Sequence, residues 1–115
     1  MTMPTKRYHT AARIEEERLA PGDEKAARAD AARIASHLRK RYGARSHGIG
    51  SLFEDLRPFR SNSDIDLVVR GLPKPEFFHI LAEIDGMTDF EVNIIPWEDA
   101  NSLVRDIVSR SGVPL

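Results

Sequence analysis

The chain has 115 residues, 41% of them hydrophobic and 30% charged, with a formal net charge of -1. That length suits one domain, and near-neutrality gives no global pull toward nucleic acid or an anionic membrane. The absence of cysteine excludes disulfides and thiolate metal sites; with no secretory signal pattern and no apolar run near the roughly 20 residues that cross a bilayer, the expected compartment is the cytoplasm.

In chain order, Tyr8, Ala12 and Leu19 make a thin apolar stripe that Pro21-Gly22 breaks, so residues 1–22 read as a weakly helical extension and 23–115 as the domain. From Asp23, a candidate N-cap, Ala27, Ala31, Ile34, Ala35, Leu38 and Tyr42 recur at spacings of three and four, with Gly43 where a helix prefers to stop. A glycine-rich strand over 46–51 follows, then a polar loop with Pro58 and Ser61-Asn62-Ser63, then a strand from Asp64 to Arg70. In that strand Ile65, Leu67 and Val69 share one face, and Asp64 and Asp66 begin the other.

Pro75 at a first helical position predicts a helix with Phe77, Leu81 and Ile84 on one face, Ile80 beside them and Gly86 at its end. Next comes a strand with Phe90, Val92 and Ile94 on one face and Glu91, Asn93 and Ile95 on the other, stopped by Pro96. A last helix is expected to bury Ala100, Leu103, Val104, Ile107 and Val108 before Gly112. The order α-β-β-α-β-α predicts an α/β fold, a small mixed sheet covered by helices.

The chemistry gathers in GSLFEDLRPFRSNSDIDLVV, residues 50–69. Residues i and i+2 of a strand point the same way, so Asp64 and Asp66 aim at one spot from backbone positions roughly 7 Å apart, a spacing that suits a divalent cation. An isolated Asp-x-Asp reads first as a turn cap followed by an exposed strand residue, and only the surrounding pattern reverses that preference. Gly50-Ser51, alone only a turn, lets the backbone approach a phosphate and offers amide and hydroxyl donors to it.

Together, Gly50-Ser51, twelve intervening residues and Ser63-Asp64-Ile65-Asp66 resemble the signature of the nucleotidyltransferase superfamily, whose fold is shared with DNA polymerase beta and the minimal nucleotidyltransferases of prokaryotic toxin-antitoxin pairs. The resemblance covers roughly residues 25–115, including Val92-Asn93-Ile94-Ile95 and the closing Ser111-Gly112-Val113-Pro114-Leu115. It implies Mg2+, or Mn2+ in its place, held by Asp64 and Asp66; a nucleoside triphosphate, ATP by expectation, held by Gly50, Ser51, Arg60 and Ser63; and transfer of a nucleoside monophosphate to a hydroxyl of a protein, nucleic acid or small molecule. By the same analogy a HEPN-type toxin is the expected protein partner.

The family carries a third carboxylate on its closing strand, where this chain has Asn93. An amide oxygen can bind a cation but cannot take a proton, which leaves two alternatives. In one, Glu91, two residues earlier on the same face, completes the metal site; in the other, Glu91 is a solvated strand residue and Asn93 a hydrogen-bonding substitute. Either Glu91 or Asn93 would complete a catalytic site imperfectly, and Asn93 favours the rival reading of a weak or inactive enzyme acting as a binding module. Arg57 and Arg60 are candidate phosphate contacts or plain loop charges. Arg33, Arg39, Lys40, Arg41 and Arg45 read as the solvated face of a helix before they read as an RNA surface. His9, His37, His47 and His79 show no paired metal-ligand spacing, and only His47 is expected near the site.

Overall fold

A computed structural model describes residues 22–53 and 64–115. Arg57, Arg60, Ser63 and the stripe of Tyr8, Ala12 and Leu19 lie outside the described residues. The described residues form three α-helices, α1 (Gly22–Tyr42), α2 (Phe77–Asp85) and α3 (Ser102–Ser111), and a sheet of β1 (Arg45–Ile49), β2 (Ile65–Arg70), β3 (Val92–Pro96) and β4 (Val113–Pro114). The sheet is mixed, in the order β3-β2-β1-β4: β1 runs antiparallel to β2 and β4, and β2 runs parallel to β3. This is the α/β architecture expected. No helix among the described residues is long and apolar enough to cross a membrane.

One face of the sheet carries the core. Ala27, Ala31, Ile34 and Leu38 of α1 and Ile80 and Ile84 of α2 pack with Ile65, Leu67 and Val69, all buried. The alanines at the first two of those positions let α1 lie close to the pleated surface, and the branched residues below fill the space. Asp23 falls inside α1 rather than capping it. At the other end the Gly43 N–H donates to Arg39 O (2.9 Å), closing the last turn as the glycine signal predicted.

The second prediction to shift is the helix after β2. Pro75 lies in a short 3-10 turn, Lys74–Glu76, and the α-helix begins only at Phe77. Ile80 and Ile84 are its buried residues, while Phe77 and Leu81 are half-buried. The third helix departs further. Asn101 caps α3 by accepting from the Val104 N–H (2.9 Å), Ala100 stays outside it, and Leu103 is 66% exposed. Val104, Ile107 and Val108 are only half-buried. Val108 and Ser109 flank a cleft with His47 and Val68, so α3 covers part of the face opposite α1 and its apolar stripe outruns the sheet beneath it.

A polar network ties α1 to α2. Tyr42 Oη donates to Glu83 Oε1, Arg41 Nε lies 3.4 Å from Glu83 Oε2, and His37 and His79 stand 3.6 and 3.8 Å from the same carboxylate. The Tyr42 hydroxyl bond, aided by Arg41, His37 and His79, holds the Glu83 carboxyl below its usual range. A depressed carboxyl contributes stability that is present above its unfolded-state value and is lost as pH falls through the folded one. Wild-type protein should therefore lose more stability than Glu83→Gln on acidification through the carboxylate range, as followed by urea unfolding at a series of pH values; parallel curves would refute the linkage.

Candidate functional site

β1 ends at Ile49, whose partner on β2 is Asp66. Gly50 then takes φ +84, the left-handed region that side chains other than glycine's enter at a cost, and the chain turns at once, with the Phe53 N–H donating to Gly50 O (3.0 Å). The turn is nailed down from below: Leu52 is fully buried, and the Phe53 ring lies where a Cβ on Gly48 would be, 2.4 Å from its nearest atom. Glycine at 48 is what admits that ring.

Gly50 stands directly against the acids. A Cβ built there would sit 2.9 Å from Asp66 Oδ2. The Gly50-Ser51 bend and the second aspartate of Asp-x-Asp are thus neighbours, the arrangement that the resemblance implies. Ser51 is half-buried at the start of the turn and its hydroxyl makes no hydrogen bond with a described residue.

The parallel register between β2 and β3 pairs Asp66 with Asn93 and Ile65 with Val92. Asn93 Nδ2 donates to Asp64 Oδ2 at 2.8 Å and to Asp66 Oδ1 at 2.9 Å. An amide NH2 has two donors, and here each carboxylate receives one. The three side chains form one cluster, exposed at Asp64 and Asn93, in which a neutral donor offsets the repulsion of two like charges.

Glu91 takes no part in that cluster. It precedes β3, its backbone carbonyl accepts from the Ile65 N–H (2.9 Å), and its exposed side chain makes no hydrogen bond or ion pair with a described residue. Register decides this: Asn93, not Glu91, lies opposite Asp66. Among the described residues no three or more His, Cys, Asp or Glu side chains form a group that could by themselves hold a metal ion.

His47 is not beside the aspartates. It pairs with Val68 and Pro114 and lines a cleft with Arg45, Arg70 and Trp97. The cleft is not visible in the sequence, where Arg45 continues the run of α1 cations and only the β1–β2 ladder sets it opposite Arg70. No protein-family model matches the chain, and no curated protein matches it.

Proposed function

We propose that this chain is a minimal nucleotidyltransferase, of the polymerase beta-like fold, that moves a nucleoside monophosphate from a nucleoside triphosphate to an acceptor hydroxyl. ATP is the expected donor. The observation that carries the reading is that Asp64 and Asp66 present oxygens within 2.9 Å of a single atom, beside the left-handed Gly50 turn. Two carboxylate oxygens converging on one point are a donor set that fits a hard divalent cation such as Mg2+ or Mn2+. Such an ion, when bound, neutralises phosphate charge and eases deprotonation of the attacking hydroxyl.

The chain's own residues then have separate tasks. Asp64 and Asp66 hold the cation, and Gly50 leaves room beside Asp66 for a phosphate. The Ser51 hydroxyl and the turn amides donate to phosphate oxygens. Asn93 can swing its amide to offer Oδ1, but it brings no negative charge and accepts no proton, so binding should exceed turnover. Arg60 and Ser63 remain candidates for the triphosphate.

A second reading rests on the same amide. Because Asn93 places a donor at the point where the two acids converge, the chain also suits a binding module that keeps nucleotide affinity and neutralises a HEPN-type toxin by covering it. Incubation with ATP labelled in its α-phosphate and Mg2+, alone and with a HEPN-type protein or RNA as acceptor, separates the two. Label transfer that disappears in Asp64→Ala and Asp66→Ala supports the enzyme. Nucleotide binding without transfer supports the module, and neither binding nor transfer removes both.

A further inference from the structure

The sheet face that bears Asp66 carries a second polar cluster at its other end. Antiparallel pairing sets Arg45 of β1 directly across from Arg70 of β2. Like charges so placed repel and weaken the ladder, and neither guanidinium makes a hydrogen bond or ion pair with a described residue. Arg70 is nevertheless held in place. Its guanidinium carbon lies 4.8 Å from the centroid of the Trp97 ring, and Arg105 flanks the same ring at 4.9 Å.

Arg105 is anchored by donating to the Trp97 backbone carbonyl (3.0 Å), which keeps it beside the ring. Stacking on an aromatic orients a guanidinium without using its five N–H donors. Carboxylates on the flanking elements are committed elsewhere: Glu98 accepts from the Gly71 N–H (3.0 Å), and Asp106 pairs with Arg110 (3.1 Å). Arg45, His47, Arg70 and Trp97 line a cleft of about 330 Å3, and a neighbouring one of about 220 Å3 shares Arg45 and His47 and adds Arg39.

We propose that this cleft is an anion site, in which the forks of Arg45 and Arg70 grip a phosphate group. Two guanidiniums, that of Arg70 oriented on Trp97 and that of Arg45 across the ladder from it, match a doubly charged tetrahedral anion better than a single carboxylate, and the volume admits the rest of a phosphate ester. The site is separate from the aspartate cluster. Asp66 and Arg70 are four residues apart on β2, roughly 13 Å at strand rise, and buried Val68 lies between them. Binding here needs neither the aspartates nor a metal ion.

Trp97, the chain's single tryptophan, is a built-in reporter. Its emission should change saturably when metal-free protein at low salt is titrated with inorganic pyrophosphate or with a single-stranded RNA oligomer, with or without a 5′-phosphate. Arg45→Ala and Arg70→Ala should each weaken binding by about tenfold or more, the scale of a lost charge-assisted hydrogen bond. The double variant Asp64→Ala, Asp66→Ala should bind as wild type. Because Arg70→Ala also uncovers Trp97, Arg45→Ala with an unchanged circular dichroism spectrum is the deciding variant.

A response to pyrophosphate or to the 5′-phosphorylated oligomer alone assigns the site to a terminal or free phosphate. A response to both oligomers that weakens steeply with salt assigns it to the strand backbone. Either supports the site; no response, one indifferent to Arg45→Ala, or one lost with the aspartates overturns it.

Discussion

On the nucleotidyltransferase reading proposed above, replacing Asn93 with aspartate should raise nucleotidyl transfer by about a hundredfold or more and make the stability of the fold depend on divalent cations. The first effect follows from the proton. An amide cannot accept one, a carboxylate can, and a positioned base contributes roughly 10²–10⁴ in rate. The second follows from the hydrogen bonds. Asn93 supplies both donors that hold Asp64 and Asp66 together, and Asn93→Asp substitutes a third negative charge of nearly the same shape. Without Mg2+ the variant should lose about 1 kcal/mol or more, the partly exposed site tempering the loss. Saturating Mg2+ should return it, since a ligand at 100 times its Kd stabilises by about 2.7 kcal/mol. Melting curves in chelator and in Mg2+, beside transfer assays, read both. If the melting temperature of Asn93→Asp ignores Mg2+, the three side chains are not a cation site.

Gly50→Ala is expected to cost about 1–2 kcal/mol of stability from the left-handed backbone alone, because residue 50 sits at φ +84. The new methyl would also stand 2.9 Å from Asp66 Oδ2 and push that carboxylate off its position. On the same proposed reading, affinity for ATP with Mg2+ should fall by about tenfold or more, each 1.4 kcal/mol of lost interaction being one factor of ten. Gly86→Ala is the control. Gly86 has φ -78, and a Cβ there meets only the carbonyls of Glu83 and Ala82, at 3.6 and 3.9 Å. Equal nucleotide affinity in Gly50→Ala and wild type would detach the turn from the site.

Much of this was legible from residue spacing. The three-and-four recurrence from Ala27 to Leu38 is the buried face of α1, and the alternation of Ile65, Leu67 and Val69 against Asp66 is the two-sidedness of β2. What spacing left open was register. Glu91 and Asn93 share a strand face, and only the parallel pairing of β2 with β3 chooses Asn93 as the partner of Asp66. The opposition of Arg45 and Arg70 is hidden for the same reason, since 25 residues separate two positions that one ladder makes adjacent. β4 escaped notice because a two-residue strand ending in proline carries no periodicity, and proline gives the ladder no donor. The expected burial of Leu103 failed because an amphipathic pattern records how wide an apolar stripe is, not how much sheet lies under it.

The three polar side chains are not equally free to move. Asp66 and Asn93 stand on adjacent hydrogen-bonded strands, so their separation is set by the ladder at about 4.8 Å between backbones. Asp64 stands one residue before β2 begins. As the cation site proposed above, the cluster is a vice with two fixed jaws and one adjustable screw: accommodation of ions of different radius, Mn2+ against Mg2+ for example, would fall to Asp64, while Asp66 would define where the ion sits.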